Sequence, residues 1–397
     1  MNLRLSAFLC VAVLLLAPAV VRGEEAAPAV KAPEAAPAAK APAAKAKDTT
    51  PPRGRMIVPH TKESPRNGEG TFLTLAGGEL AYVYGAFTGM GDTDRSRLGV
   101  IRSKDGGDTW SEPAILMEDA GVSLLHPSLV RLAGGGIGLG YSKLTNSTKA
   151  VKVFRYSKDE MKTWSDEIPI SDGSYGYMTG AHDRMLLVGG KRIVNTVHAK
   201  IPGGAKGRAL GTFVFTSDDE GLTWQKRPAE LLRAPAPEGS QGEGGFYETS
   251  IAEAPGGELL QVGRTNTGYM FESRSKDAGT TWSAPEKTTV LNPVAPARVT
   301  RVPGSDALVL LRNWDPNLKP GAHGSRTTLV LQVSRDGGRT WTEPRIIEKT
   351  GASRFDYPCA YWTGDTLHVA YRAFIRGCDV YYQRFTKAEV LEAPQAK

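Results

Sequence analysis

The sequence predicts an all-β protein: a six-bladed β-propeller of four-stranded antiparallel blades, in which an N-terminal strand closes the last blade. Two repeated patterns indicate this fold. One is an octapeptide that ends in tryptophan, and the other is a pair of short apolar runs on either side of a glycine-containing turn. The composition agrees, because 45 glycines among 397 residues favour many tight turns over a bundle of helices.

The octapeptide has the form Ser-x-Asp-x-Gly-x-Thr-Trp and occurs four times, with a fifth copy in which Met161 replaces the glycine. Successive tryptophans are 54, 60, 58 and 59 residues apart, a period that is typical of propellers and solenoids. Aspartate can accept bonds from nearby backbone N–H groups, glycine adopts positive φ, and tryptophan is a large apolar plug. We therefore expect these aspartates to be turn residues and not catalytic ones. The copies are Ser103–Trp110, Ser157–Trp164, Ser217–Trp224, Ser275–Trp282 and Ser334–Trp341.

Short apolar runs flank a glycine-containing turn six times, and each set reads as a hairpin of two buried strands. An octapeptide follows five of the six hairpins, but after the last one there is room for only one more strand, Val380 to Phe385. The N-terminal run Met56 to His60 would supply the missing strand. Residues 53–397 then divide into six blades of about 57 residues. The turns lie at 76–78, 133–135, 189–190, 255–257, 303–304 and 363–364.

The first 52 residues predict that the protein is exported and that a linker precedes its folded domain. Arg4 precedes an apolar run that ends at Val21, so residues 1–23 are predicted to be a secretory signal peptide, cleaved near Ala19 or Gly23. An uncleaved membrane anchor is the alternative, although a run of this length with a proline is a marginal span. Residues 24–52 form an Ala/Pro/Lys-rich linker, and residues 53–397 form the propeller domain. We expect a periplasmic, cell-surface or extracellular protein.

The charge and the cysteines exclude several classes of protein. The net charge is +7, and residues 1–52 carry six Lys/Arg against four Asp/Glu, which leaves 7 − 2 = +5 on the rest. This charge is spread without a basic block, so we expect no nucleic-acid partner, and a mild positive field suits an anionic small substrate. Three cysteines exclude a disulfide-built scaffold, although Cys359 and Cys378 could pair. The histidines show no metal-ligand spacing and the glycine-rich stretches are not phosphate loops, so we predict no metal and no other cofactor.

Ionisable residues are predicted to gather at one mouth of the propeller. The octapeptides and the glycine turns share one face, so the starts of first strands and the ends of second strands meet on the other face, near the axis. Convergence of polar groups around an axis is typical of a site. The residues at these positions are Arg66, Asp92, Asp94, His126, Lys143, His182, Asp183, His198, Glu248, Arg264, Arg312, Tyr357 and Arg372.

The octapeptides resemble the Asp-box, or bacterial-neuraminidase (BNR), repeats of the sialidase superfamily, and the resemblance covers roughly residues 55–390. In that family a tyrosine attacks the anomeric carbon, a glutamate takes its proton, an aspartate protonates the leaving oxygen, and three arginines clamp the substrate carboxylate. A phenol has a pKa of about 10 and is nearly neutral at pH 7. It can therefore approach a carbon that bears a carboxylate without repulsion, but it needs a base beside it.

The resemblance implies catalytic roles for specific positions of this chain. Tyr357, in Phe355-Asp-Tyr-Pro358, resembles the nucleophile, and Glu248 resembles its base. Asp92, in the loop before the first octapeptide, resembles the acid/base, with Asp94 as the alternative.

The resemblance also implies an arginine clamp, because bidentate Arg–carboxylate pairs are geometrically specific. Arg66, Arg264 and Arg312 resemble its members, and the third position stays open among Arg312, Arg326 and Arg372. Two features depart from the family pattern. Arg66 lacks the Arg-Ile-Pro motif, and Arg372 stands where sialidases often have a glutamate that supports the first arginine.

Further polar groups resemble a sialidase-like subgroup of BNR-repeat proteins. His126, His182 and Asp183, together with Arg372, are predicted to bind substrate. A different sugar in the site would explain them, and so would a site that no longer performs chemistry.

The resemblance implies an exported exo-glycosidase of sialidase type, which hydrolyses terminal sialic acid or a related acidic sugar from glycans. Two alternatives stay open: a non-catalytic propeller that binds glycans or a protein through the same rim, and a glycosidase or lyase for another acidic polysaccharide. We expect a monomer whose partner is a glycan or glycoconjugate with an acidic sugar. Contact with a membrane is expected only through an uncleaved N-terminal anchor.

Overall fold

The chain was analysed as a computed structural model, which describes residues 52–200, 210–235, 244–349 and 353–392. Within these residues the chain forms 25 strands and one short α-helix, which confirms the all-β class. The predicted signal peptide (1–23) and all but the last residue of the predicted linker (24–52) lie outside the described residues. In the described part of the chain, none of the helical segments has the length and apolar character of a membrane span.

The strands are short and follow one another closely along the chain. They are β1 (Arg55–Val58), β2 (Arg66–Thr74), β3 (Leu80–Phe87), β4 (Ser96–Ser103), β5 (Ala114–Met117), β6 (Ser123–Arg131), β7 (Ile137–Asn146), β8 (Lys149–Ser157), β9 (Ile168–Pro169), β10 (Met178–Thr179), β11 (Met185–Val188), β12 (Arg192–Lys200), β13 (Leu210–Ser217), β14 (Gln225–Leu232), β15 (Tyr247–Glu253), β16 (Leu259–Arg264), β17 (Tyr269–Ser275), β18 (Glu286–Leu291), β19 (Arg298–Arg301), β20 (Leu308–Asn313), β21 (Thr328–Ser334), β22 (Arg345–Lys349), β23 (Arg354–Thr363), β24 (Thr366–Phe374) and β25 (Cys378–Thr386), followed by α1 (Lys387–Leu391).

Hydrogen bonds group the described strands into five sheets, whereas the sequence predicts six separate blades. Four of the sheets each take one stretch of the chain: β6–β9, β10–β14, β15–β18 and β19–β22. The fifth sheet has eight strands, because the group β2–β5 and the group β23–β25 with β1 are joined by a parallel bridge between Arg66 and Cys378. The first and last strand groups therefore count as one sheet.

The first strands of successive groups, with β11 in place of the two-residue β10, contact one another in a closed ring, which is a propeller arrangement. In chain order β2 contacts β6, β6 contacts β11, β11 contacts β15, β15 contacts β19, β19 contacts β23, and β23 contacts β2. Within the four-stranded groups the strand order follows the chain order, so hairpins join neighbouring strands. The N-terminal strand β1 pairs antiparallel with β25, with Met56 opposite Tyr381, as predicted from the sequence.

Each octapeptide forms the turn between the last two strands of its group. In the first copy the Asp105 carboxylate accepts three hydrogen bonds, at 2.5–2.8 Å. The donors are the Ser103 hydroxyl, the Thr109 backbone nitrogen and the Thr109 hydroxyl. The Gly107 nitrogen donates to Ser103 Oγ over 2.7 Å, and its φ is 94°. The hydrogen bonds from Thr109 contribute most to holding the pKa of Asp105 well below its usual value. The Asp105 carboxylate thus stabilises the turn in which it lies.

The octapeptide tryptophans pack against the neighbouring strand group. The ring of Trp224 lies 5.5 Å from that of Phe154 on β8, and the ring of Trp110 lies 5.5 Å from that of Tyr382 on β25. Edge-to-face pairs of this kind contribute about 0.5–1.5 kcal/mol beyond the area they bury. In the copy without glycine, Met161 takes up a φ of 66° and its side chain is buried in the core.

The last strands carry two buried thiols and lead into a capped helix. Cys359 on β23 and Cys378 on β25 are both free, so the disulfide that the sequence leaves open is not formed. Cys378 Sγ instead contacts the carbonyl oxygen of Asn67 at 3.3 Å. Thr386 Oγ1 accepts from the Glu389 nitrogen, and the Glu389 carboxylate accepts from the Thr386 nitrogen in return. This capping box starts helix α1 directly after the last strand.

Candidate active site

Five polar side chains at or beside the first strands share a left-handed backbone conformation. This region costs a residue other than glycine about 1–2 kcal/mol. Four of the five lie at register shifts in β2, β6, β15 and β23, where the strand carries an extra residue. Such a bulge turns a side chain away from the regular alternation of the strand. The residues and their φ angles are Glu69 (59°), His126 (57°), Asp183 (55°), Glu248 (49°) and Tyr357 (54°).

Tyr357 and Glu248 form a hydrogen-bonded pair across the site. Tyr357 Oη donates to Glu248 Oε1 over 2.9 Å, although the two residues are 109 positions apart. Arg264 Nε lies 2.9 Å from the other carboxylate oxygen, Oε2. Burial, and after it the charge of Glu248, raises the pKa of the Tyr357 phenol, so the hydroxyl keeps its proton until a base removes it. The structure thus brings these three predicted residues together.

Glu69 is a buried carboxylate that three of the predicted residues surround. Its Oε1 accepts hydrogen bonds from Arg66 Nη2, at 2.9 Å, and from Arg372 Nη1. Its Oε2 lies 2.9 Å from His126 Nε2. Burial alone would raise the pKa of Glu69, but the charges of Arg372 and Arg66 outweigh it and hold that pKa well below its usual value. The carboxylate is therefore ionised and compensates both guanidinium groups.

Arg372 covers one face of the Tyr357 ring. Its guanidinium carbon lies 4.1 Å from the ring centroid, which is a cation–π geometry. Its Nε donates to Asp356 Oδ1 over 2.9 Å. Asp356 is fully buried and also accepts from Arg326 Nη1, at 2.8 Å, and from Arg354 Nε, at 2.5 Å. Burial alone would raise the pKa of Asp356, but these three cations outweigh it and hold that pKa well below its usual value.

Asp92 lies on the loop between β3 and β4, at the rim of the site. Arg66 Nη1 donates to Asp92 Oδ1 over 2.6 Å, and the carboxylate side chain is 92% exposed. Asp94, the alternative acid, accepts from the Gly91 nitrogen at 2.7 Å and so closes its own loop. A cavity of about 630 Å³ opens beside Asp92, a volume suited to a small ligand. Its lining includes Asp92, Tyr247, Arg264, His323, Arg326 and Arg354.

Two buried histidines lie near the tyrosines of the site. The ring of His182 lies 5.7 Å from that of Tyr357, and the ring of His198 lies 6.2 Å from that of Tyr247. Both nitrogens of His182 and Nδ1 of His198 are buried without a hydrogen-bond partner. Burial holds the pKa of both histidines well below the usual value, so both rings are neutral. A neutral imidazole can donate and accept at once, which suits the hydroxyl groups of a ligand.

Asp183 and Lys143 have partners outside the Tyr357 cluster. Asp183 Oδ2 accepts from Arg298 Nε, at 2.6 Å, and from the Ala360 backbone nitrogen, at 3.2 Å. These bonds join the segment before β11 to β19 and to β23, across the ring of strand groups. Lys143 Nζ donates to Glu167 at 2.8 Å. The contacts of Asp183 are those of a structural link.

Arg312 does not join the other predicted clamp residues. Its Nε donates to Gln332 Oε1, at 2.6 Å, and its Nη1 donates to the Leu291 carbonyl, at 3.0 Å. Burial lowers the pKa of Arg312 to about 10. The hydrogen bonds of Arg312 thus join β20 to β21 and to the end of β18, and not to the Tyr357 cluster. Arg326, which the sequence leaves as an alternative, instead reaches Asp356 near Tyr357.

Three charged residues of the cluster are missing from the sequence prediction: Glu69, Asp356 and Arg354. A charged residue inside a buried strand must have a partner of opposite charge. Glu69 follows Arg66 by three positions within the buried strand β2, and Asp356 directly precedes Tyr357. The sequence therefore offers a way to predict Glu69 and Asp356 as site residues, because a buried carboxylate at either position requires an arginine nearby.

Comparison with protein families gives one match within the chain. Residues 180–369 match the family of BNR repeat-like domains. No curated protein matches the sequence.

Several solved structures share the fold at low sequence identity. A Hadza microbial sialidase is 20% identical with a TM-score of 0.67, covering 85% of this chain and 69% of its own. A protein of unknown function from Dyadobacter fermentans is 18% identical with a TM-score of 0.67, covering 84% of this chain and 98% of its own. The leech intramolecular trans-sialidase is 15% identical with a TM-score of 0.67, covering 86% of this chain and 71% of its own. At these identities the similarity establishes the fold.

The ring of strand groups and the Asp-box turns define an all-β propeller protein. Within it, residues 180–369 are similar to BNR repeat-like domains, and the fold is shared with solved sialidase structures.

Proposed function

We propose that the protein is an exported exo-glycosidase of sialidase type, which releases a terminal sugar, sialic acid or a related acidic sugar, from a glycan. The observation that carries this proposal is the hydrogen bond of 2.9 Å between Tyr357 Oη and Glu248 Oε1. It joins a nucleophile to a base, and Arg264, which contacts Glu248, lines a cavity together with Asp92. The apolar N-terminal segment supports export.

The reaction would proceed in two steps with retention. In the first, Tyr357 Oη passes its proton to Glu248 and bonds to the anomeric carbon, while Asp92 gives its proton to the leaving oxygen. In the second, Asp92 takes a proton from water, whose oxygen bonds to the anomeric carbon, and the phenol oxygen departs and regains its proton from Glu248. Two displacements at one carbon retain its configuration.

The charges around Tyr357 support both steps. The raised pKa of the phenol means that attack requires Glu248 as base. The phenol oxygen carries negative charge as it leaves in the second step. Arg372, over the ring at 4.1 Å, and Arg264, beside Glu248, would stabilise that charge without moving.

We also infer that the eight-stranded sheet consists of two blades joined by one bridge, so that six blades surround the site. In support, the group β2–β5 carries its own octapeptide turn, and β23–β25 is completed by β1. The ring of first strands passes through both groups in turn. The six-bladed propeller predicted from the sequence therefore remains our reading of the fold.

The proposal is tested by turnover of fluorogenic glycosides, with a panel that includes a sialoside and neutral and acidic aldosides. Tyr357→Phe removes only the phenol oxygen and should lower kcat/KM by at least about 100-fold, as should Glu248→Gln, since each removes a group acting in the transition state. Tyr361→Phe is the matched control. That tyrosine lies on the same strand, its hydroxyl accepts from the Thr74 nitrogen, and its loss should change kcat/KM less than threefold.

The intermediate gives a second measurement. A 2-fluoro glycoside of the sugar that is cleaved should leave its glycosyl group on Tyr357, detected by mass spectrometry of the digested protein. Unchanged turnover in Tyr357→Phe eliminates the nucleophile role. A wild type that cleaves no glycoside but binds glycans on an array would favour the non-catalytic alternative.

A further inference from the structure

The arginines nearest Tyr357 are already paired with carboxylates of the protein itself. Among the described residues five guanidinium groups contact four carboxylates at this point, so the formal charges sum to 5 − 4 = +1. The pairs are Arg66 with Glu69 and Asp92, Arg264 with Glu248, Arg326 and Arg354 with Asp356, and Arg372 with Glu69 and Asp356.

Glu69 occupies the place that an anionic group of a ligand would need. Its Oε1 accepts from both Arg66 and Arg372, and its Oε2 faces His126. Arg372 is also the cation that lies on the Tyr357 ring, 4.1 Å from its centroid. Arg372, the guanidinium group that lies on the ring of the reacting phenol, is therefore directed at Glu69 and Asp356.

We infer that the terminal sugar carries no carboxylate on its reacting carbon, because Glu69 fills that position: the substrate is a glycoside of an aldose, with hydrogen at the anomeric carbon. This deepens the proposed function and rests on it. A carboxylate attached to the carbon that Tyr357 attacks would have to displace Glu69 from Arg66 and Arg372. The displaced Glu69, only 2% exposed, would then be a buried charge without a partner.

The remaining positive charge lies farther out. Arg354 shares Asp356 with two other arginines, and its side chain is 46% exposed at the edge of the cavity. An acidic group elsewhere on an aldose, such as a uronic carboxylate, could pair there.

A phenol nucleophile remains reasonable for such a substrate. The charge of Glu69 acts on Tyr357 and contributes to raising the pKa of its phenol. A carboxylate in place of Tyr357 would be repelled by Glu248, which bonds to the phenol, and by Glu69 as well. The protein's own carboxylates therefore repel a carboxylate nucleophile, just as a substrate carboxylate would.

Binding to the wild type gives the first test. Calorimetry compares 2,3-didehydro-2-deoxy-N-acetylneuraminic acid with its methyl ester, two ligands that differ in the charge at the position in question. We expect less than a threefold difference in Kd, or no binding of either. A preference of tenfold or more for the acid would overturn the inference.

Removal of Glu69 gives the second test. Glu69→Ala vacates the position between two guanidinium groups, so acetate should raise the Tm of this variant in a concentration-dependent way and leave the wild type unchanged. Glu160→Ala is the matched control, because it frees Arg131 from a carboxylate at an exposed site where acetate should have little effect. Equal responses of the two variants overturn the inference. If Glu69→Ala does not fold, the acid–ester comparison in the wild type still decides.

Turnover separates this inference from the proposed function. The wild type should cleave an aldoside at least 100-fold faster than a sialoside, and faster cleavage of the sialoside contradicts the inference while supporting the glycosidase. If the wild type cleaves no glycoside, the proposed glycosidase function is refuted. If acetate nevertheless raises the Tm of Glu69→Ala, Glu69 still occupies the anion position.

Discussion

Replacement of Asp356 by asparagine should destabilise the protein strongly, although the two side chains have nearly the same shape. Asp356 is fully buried and accepts hydrogen bonds from Arg326, Arg354 and Arg372. A neutral amide cannot compensate these guanidinium groups, and two of them are largely buried. Removal of one partner from a buried ion pair costs about 3–5 kcal/mol. We expect a loss of that size in the free energy of unfolding.

Thermal and urea unfolding at pH 7 measure this loss. An unfolding entropy of about 2.1 cal/mol/K per residue across residues 53–397 converts 3–5 kcal/mol into a fall of roughly 4–7 °C in Tm. Asp218→Asn is the matched control, because Asp218 binds Arg192 at the surface with its side chain 48% exposed. That variant should lose less than about 1 kcal/mol. A loss for Asp356→Asn no larger than this control would refute the reasoning.

The difference between wild type and Asp356→Asn should also depend on pH. The charges of Arg372, Arg354 and Arg326 outweigh burial and hold the pKa of Asp356 well below the value of about 3.9 expected in the unfolded chain. A depressed pKa contributes stability that is present above the unfolded pKa and is lost as the pH falls through the folded one. The gap should therefore be constant between pH 7 and about pH 5, and narrow below about pH 4. A gap that widens in acid contradicts this prediction.

Three further variants test other parts of the structure. Arg312→Met should leave the kcat/KM of a cleaved glycoside within threefold, whereas Arg264→Met should lower it by at least about 100-fold, because Glu248 loses its partner. His126→Ala should be less stable than His126→Gly by about 1 kcal/mol in urea unfolding, because only glycine adopts a φ of 57° without strain. Asp277→Ala should lose about 1–2 kcal/mol with its three turn hydrogen bonds, as measured by urea unfolding, and leave kcat/KM unchanged.

The all-β class and the order of strands could be predicted because each repeat carries its own local information. The Asp-box turn is closed by hydrogen bonds among residues within six positions of one another, as between Ser103, Asp105 and Thr109. The number of sheets could not be predicted in this way. It depends on a single bridge between Arg66 and Cys378, which are 312 positions apart, and no local pattern encodes that approach.

Part of the candidate site can be predicted where its residues lie at the ends of strands. Tyr357, Glu248 and Arg264 are predicted at such positions, and the structure places them in contact. Arg312 is predicted to join them but bonds elsewhere, because regular alternation does not reveal where its side chain points. The bulge at Glu69 interrupts that alternation, so the strand period does not indicate it.

The left-handed positions explain how residues so far apart in sequence form one site. Glu69, His126, Glu248 and Tyr357 lie on four different first strands, yet each occupies a bulge with nearly the same φ. Each strained position costs about 1–2 kcal/mol, which the packed sheets on either side must offset. Because the backbone is the same at each position, the chemistry there depends on the side chain alone. Under the proposed function, a change of sugar would therefore require a new side chain at one of these bulges and would leave the strands on either side intact.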